Sequence, residues 1–312
     1  MKPMVIAAAV AAILVIVGGA YVGLNSVSPP ISPCAGSGTI QVVAGENFWG
    51  SLVAQLGGTH ANVTSIVSDP NTDPHSYESS VSAARAFSNA CFVIINGANY
   101  DVWASNLITA AGSTHQTVLD VQQALGQPVE ANPHFWYSPV FVNATVKAMY
   151  NDLVKIDPAD SAYYRQQYGS LNSSLWTSFM EQEAMIKHQF SGVTVASTES
   201  IFLYMANATG LKVITPPQFM KAVSEGNDPS AQDIATFQNQ LNGGNGTVHF
   251  LVYNVQTVTP LTQSLLTLAA KNQIPVVRIS ETIQPPDLTF LAWMQGQIAQ
   301  LENALKAAPL GK

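Results

Sequence analysis

Residues 160–190 read DSAYYRQQYGSLNSSLWTSFMEQEAMIKHQF, and their reading decides the fold. The apolar side chains Tyr164, Tyr168, Leu171, Leu175, Phe179, Ile186 and Phe190 step by three, four or seven, which lines them along one face of a helix. Asp157 and Pro158 just ahead supply start signals. At 1.5 Å per residue the helix runs about 40 Å. That length suits a strut crossing between two lobes.

On both sides of the strut, short apolar runs alternate with helical ones. Toward the N-terminus, TIQVVAG, ANVTSIVS, CFVIINGA and QTVLDVQ read as strands, with FWGSLVAQLGG, SSVSAARAFSNA and YDVWASNLITAAG as helices among them. Toward the C-terminus, GVTVAST, LKVITP, VHFLVYNV and IPVVRIS read as strands, separated by ESIFLYMANATG, SAQDIATFQNQLN and LTQSLLTLAAKN as helices. A last helix carries the stripe Leu291, Met294, Ile298, Leu301 and Leu305. Such alternation specifies parallel sheets covered by helices. The expected architecture is α/β: two lobes, each a parallel sheet flanked by helices, joined by one long helix, with a cleft between the lobes. The predicted boundaries are 1–34 for a signal peptide or membrane anchor plus linker, 35–158 for the N-terminal lobe, 159–190 for the linking helix and 191–312 for the C-terminal lobe.

Composition agrees with two lobes and narrows the partners. A chain of 312 residues exceeds what one core usually supports. Charged residues are 10%, far below the usual quarter, and the net charge is −7. That sign argues against nucleic acid, which needs basic patches to neutralise phosphates. After Lys2 no charge occurs until Glu46. VIAAAVAAILVIV has signal-peptide length, and GGAYVGL extends it just far enough to span a bilayer. Either reading places the rest of the chain outside the cytoplasm, secreted or held at the outer face of the cytoplasmic membrane. There are two cysteines, Cys34 and Cys91. In an exported chain a disulfide is one reading and two unpaired thiols the other.

In open parallel sheets ligands bind beyond the C-terminal ends of the strands. Four side chains with metal-binding chemistry follow predicted strands. His75 lies in the loop SDPNTDPHSYESS after the second strand, His134 in NPHFW, Glu199 after VTVAST and Glu281 after IPVVRIS, with Asp287 a competitor for the last position. Two imidazoles with two carboxylates suit Mn²⁺, Zn²⁺ or Fe²⁺ and are too nitrogen-rich for Ca²⁺ or Mg²⁺. Each also has a bland reading, as a loop residue, a packed imidazole, a helix-start acid or a turn acid. His60, His115, His188 and His249 read as structural. A metal-dependent hydrolase on this frame is an alternative, although four protein ligands leave little room for an activated water. A receptor for an organic ligand or a metal chelate is another.

The segments ENFWGSLVAQLGG, SDPNTDPHSYE, VIINGANYDVWASNL, NPHFWYSP, TESIFLYMANATGL, FMKAVSEGNDPSAQDI, VYNVQTVTP and IPVVRISETIQPP resemble the metal-binding receptors of ABC importers for zinc and manganese, from about Gln41 to Leu305. The resemblance implies a non-enzymatic, monomeric solute-binding protein that delivers its metal to an importer permease on the membrane. It implies His75, His134, Glu199 and Glu281 as ligands, Glu281 standing where Asp is the commoner residue. The long His-rich loop of many zinc receptors is absent, and a Glu at the third position leans toward manganese. Pro74 is expected to hold His75 in place before the ion arrives. Protonation of His75 and His134 would compete with the metal, weakening it below about pH 6 given the ordinary imidazole value. A stiff helical connector would confine release to small loop shifts.

Overall fold

Two four-stranded sheets, parallel throughout, carry the molecule. β1 (Ile40–Glu46), β2 (Ala61–Val67), β3 (Phe92–Ile95) and β4 (Thr117–Asp120) are ordered β2-β1-β3-β4. β5 (Thr194–Ser197), β6 (Lys212–Val213), β7 (Leu251–Asn254) and β8 (Val276–Ile279) repeat the pattern as β6-β5-β7-β8. The computed structural model describes residue 34 and residues 38–308, except 73 and 245. Apart from Cys34, the expected signal or anchor segment lies outside them. Both Cys34 and Cys91 are disulfide-bonded. No helix among the described residues is long and apolar enough to cross a membrane.

The inner strands show why the sheets are parallel. β3 is FVII and β7 is LVYN, and all eight residues are buried, as expected for strands covered on both faces. Helices Asn47–Gly57, Val81–Asn89 and Val102–Ala111 provide cover on the first sheet. Val43, Phe87, Val93, Ile95 and Ala104 form a buried cluster there. On the second sheet Ala196, Phe219, Phe237, Leu251 and Leu265 do the same. In each sheet the strand order reverses beside the first strand, opening a crevice between β1 and β3 and another between β5 and β7.

The connector is one helical run in three parts: α-helix Ser161–Leu175, π-helical Trp176–Met180 and α-helix Glu181–Phe190. Tyr164, Leu171, Leu175, Phe179 and Ile186 of the apolar stripe are buried. Glu183 falls in the same register and is buried with them. Ahead of the run lies helix Pro139–Ile156, which the sequence reading did not single out. Ser138 caps it, its side chain accepting from the Phe141 N–H at 3.4 Å. Val142, Val146, Met149 and Leu153 are its buried face.

Hydrogen bonds tie the two sheets' surroundings together. Asn47 donates to Ile283 O at 3.2 Å and accepts from Ile283 N at 2.9 Å. Phe290 N donates to Ser51 Oγ at 2.9 Å. From Gly38 onward the chain forms one compact unit.

Candidate metal centre

His75 sits in a single 3-10 turn, Pro74–Ser76, in the loop beyond β2. Pro74 is buried, and its fixed φ restrains the backbone on which the imidazole stands. The His75 ring meets Tyr100 edge-on with centroids 4.6 Å apart. Its Nε2 lies 3.8 Å from Glu281 Oε1, and the side chain keeps 21% of its surface exposed.

His134 comes from the segment that follows β4 and is fully buried. It is wedged against Trp136 with ring centroids 5.2 Å apart, and Trp136 in turn stacks on Phe48 at 4.0 Å. Its tautomer follows from its neighbour. Asn132 Nδ2 donates to Ser200 O at 2.8 Å, so Asn132 Oδ1 is the acceptor that faces the ring. His134 Nδ1 lies 2.5 Å from that oxygen and therefore carries the proton. Nε2 is left with its lone pair, buried and without a hydrogen bond, 3.4 Å from Glu281 Oε2. A backbone or side-chain acceptor on the far nitrogen is how a ligating imidazole is held in one tautomer.

The acids come from the second sheet. Glu199 lies two residues past β5 and Glu281 two past β8, and both are fully buried. Asn254, at the end of β7, donates from Nδ2 to Glu199 Oε1 and, at 2.7 Å, to Glu281 Oε1. Ser224 Oγ donates to Glu199 Oε2 at 3.1 Å, and Tyr100 OH to Glu281 Oε2 at 2.8 Å. Gln256 closes the site from the side. Its amide donates to Thr72 O in the His75 loop at 2.8 Å and accepts from Thr282 N at 3.0 Å.

Burial governs the protonation states. Loss of water lowers the His134 pKa to about 4, opposed by the Glu199 charge. The ring is therefore neutral at neutral pH, ready to act as a ligand. Burial, followed by the like charge of Glu281, raises Glu199 to about 8. Glu199 thus exchanges its proton near pH 8, while His134 does so far below the pH 6 expected from an ordinary imidazole. Glu46, at the end of β1, is also pushed well up by burial and by Asp101 and Glu281. Asp101 rises to about 7 for want of water, although the Asn96 and Gly97 amides donate to it at 2.6 and 2.9 Å. Gly97 turns here with φ 72°, and a Cβ on it would come within 2.5 Å of Asp120 Oδ1.

Among the described residues His75, His134 and Glu281 each offer a ligand atom, all within 4.8 Å of one another. Glu199 stands beside that trio, linked to Glu281 through Asn254. Asp287 is exposed, whereas Glu199 and Glu281 are buried. A second trio, His60, Asp157 and Asp160, lies at the start of the connector. There His60 Nδ1 pairs with Asp160 Oδ2 at 2.8 Å and Tyr164 OH donates to Asp157 Oδ2 at 2.9 Å. A cleft of about 1030 Å³, lined by loops of both sheets, reaches the site at His75. Asn132, Ser224, Tyr100 and Asn254 were not singled out from sequence. For Asn132 the available signal was its place two residues before His134, and for Asn254 a polar residue ending the apolar run VHFLVYN.

Two parallel sheets, a helical connector and a set of imidazoles and carboxylates gathered where the strands end define an α/β protein with a candidate metal site. The chain belongs to the ZnuA family, the periplasmic component A of zinc-uptake complexes, whose model matches residues 42–304. The zinc-binding protein TroA of Treponema pallidum (strain Nichols) is 24% identical over 177 residues, 53% of this chain and 54% of TroA. The manganese-binding lipoprotein MntA of Halalkalibacterium halodurans is 24% identical over 185 residues, 56% of this chain and 59% of MntA. The chain thus spans little more than half the length of these two relatives. The solved structure of TroA superposes with TM-score 0.71 at 17% identity, covering 86% of this chain and 99% of that one. The crystal structure of ZnuA gives 0.70 at 20% identity over 86% and 99%. At these identities the two structures establish the fold.

Proposed function

We propose that this protein is an extracytoplasmic receptor that captures a divalent transition metal, Zn²⁺ or Mn²⁺ with Fe²⁺ as a further candidate, and delivers it to the permease of an ABC importer. The observation that carries the reading is the convergence of His75, His134 and Glu281 ligand atoms within 4.8 Å in a buried setting. His75 and His134 supply Nε2. Glu281 supplies a carboxylate whose two oxygens face the two imidazoles, and Glu199 supplies the fourth group. Two ligands about 2.05 Å from one ion at a tetrahedral angle lie roughly 3.3 Å apart. The 3.4 Å between His134 Nε2 and Glu281 Oε2 is close to that separation.

The donor set, two nitrogens with carboxylate oxygens, suits divalent transition metals and zinc better than Mg²⁺ or Ca²⁺. The names of the relatives, one zinc-binding and one manganese-binding, support both cargoes. His75 is the group that incoming metal meets first, because the cleft reaches the site there while the other three are buried. In this reading the protein works as a monomer, tethered to the outer face of the membrane if its N-terminal segment is retained. It performs no chemistry on its cargo.

Elemental analysis of protein purified from its own cells tests the reading. One equivalent of a transition metal is expected in the wild type and a loss of it in His75→Ala. A wild-type protein free of metal that takes up none on titration contradicts it.

A further inference from the structure

The two acids of the site meet on a third side chain. In the second sheet β7 lies between β5 and β8. Glu199 follows one neighbour and Glu281 the other, and Asn254 ends the strand between them. Its amide nitrogen donates to both, Glu199 Oε1 and Glu281 Oε1, the second at 2.7 Å. The amide is fixed in that sense. Its Oδ1 accepts the Gln256 N–H at 3.0 Å, an Asx-turn, which leaves NH₂ pointing at the acids. Two hydrogens face three acceptors, the third being Thr257 Oγ1 at 2.9 Å. Ionised acceptors hold a donor more strongly than a hydroxyl does.

The chemistry of the donors matters as much as their positions. Asn254, Ser224 and Tyr100, which together serve all four oxygens of Glu199 and Glu281, are neutral groups. A Lys or Arg at the end of β7 would also gather the acids. It would neutralise them, though, and an arriving cation would have to displace it. A neutral amide holds the two carboxyl groups together, whether Glu199 is protonated or ionised, without cancelling the charge they can offer the ion. Ligands gathered beforehand lose less freedom when the ion arrives.

Resting on the reading of this cleft as a metal site, we propose that Asn254 is a positioning residue for the cargo: one neutral amide on the middle strand holds both acidic ligands so that the cage exists before the metal enters.

The test uses the full chain with Zn²⁺ alone and Co²⁺ alone as probes. Wild type is expected to take one equivalent. Asn254→Ala is expected to keep that stoichiometry, lose about 10- to 100-fold in Zn²⁺ affinity and change the visible absorption of bound Co²⁺. Asn254→Ser, whose single hydroxyl hydrogen can serve only one acid at a time, is expected to fall between them, and it carries the test if the alanine variant does not fold. A merely structural role would lower the melting temperature of the metal-free variants while leaving affinity and the cobalt spectrum at their wild-type values. That result overturns the proposal. Affinity and a cobalt spectrum that Asn254→Ala shares with the wild type remove the proposal alone, whereas a wild type that takes up no metal removes the reading of the site as well.

Discussion

At the scale of single residues, the site depends on side chains that fix other side chains. His134 presents a neutral Nε2 because Asn132 accepts from Nδ1 and burial keeps the ring unprotonated. Asn132→Ala should therefore lower metal affinity about 10- to 100-fold, the usual effect of losing a partner behind a ligand. Competition with a chromophoric chelator reads this directly, and an unchanged affinity would show that the tautomer is set by something else. The four candidate ligands were legible as polar residues after strand-like runs, with prolines and turn residues around His75. Their proximity was not. It depends on which strands are neighbours, and a list of strands does not fix that order. Asn132 and Asn254 were harder still, because an asparagine beside a turn usually serves its own backbone.

At the scale of elements, the connector contains a buried acid. Neither oxygen of Glu183 has a hydrogen-bond partner, and burial alone raises its pKa well above the ordinary carboxylate range. The sign follows from linkage. The neutral form is the one the folded state accepts, so its stability is fully present below the unfolded pKa. It is lost as pH rises through the folded value. Glu183→Met should thus raise the melting temperature at both pH values, by on the order of 1–3 kcal/mol for relieving an unsatisfied buried group, and by more near pH 8 than near pH 4. A variant destabilised at pH 8 would mean that the carboxylate is doing something the apolar side chain cannot. The sequence stripe showed the helical face here but not that Glu183 belonged to it, since a glutamate is seldom fully buried. Helix Pro139–Ile156 went unread although Ser138, Pro139 and buried Val142, Val146, Met149 and Leu153 carry its start and its face. A second test at this scale concerns the aromatic run FWY just before it: Trp136→Ala should cost about 3–5 kcal/mol, as large-to-small core changes do, because the indole fills the space between Phe48, Tyr100 and His134. Denaturant unfolding would measure it, and a loss below about 1 kcal/mol would show that the site's floor is not held by this packing.

At the scale of the molecule, the loops around the site are bound across the two sheets by Asn47 to Ile283, Ser51 to Phe290 and Gln256 to Thr72. With a helical connector behind them, the halves should move little. Metal-free and metal-loaded structures are expected to differ by loop shifts near His75, with rotation between the sheets under about 20°, and a larger rotation would contradict the stiff-connector account. The strands of both sheets were readable, because parallel strands buried on both faces leave continuous apolar runs, whereas helices Pro139–Ile156 and Pro217–Ser224 were not. The central claim is that the four side chains share one ion, and anomalous diffraction from crystals loaded with Zn²⁺ tests it most directly. The account predicts a single strong peak within about 2.3 Å of His75 Nε2, His134 Nε2 and oxygens of Glu199 and Glu281. A peak bound elsewhere, or one that touches the imidazoles while both carboxylates stay on Asn254 out of reach of the ion, would contradict it.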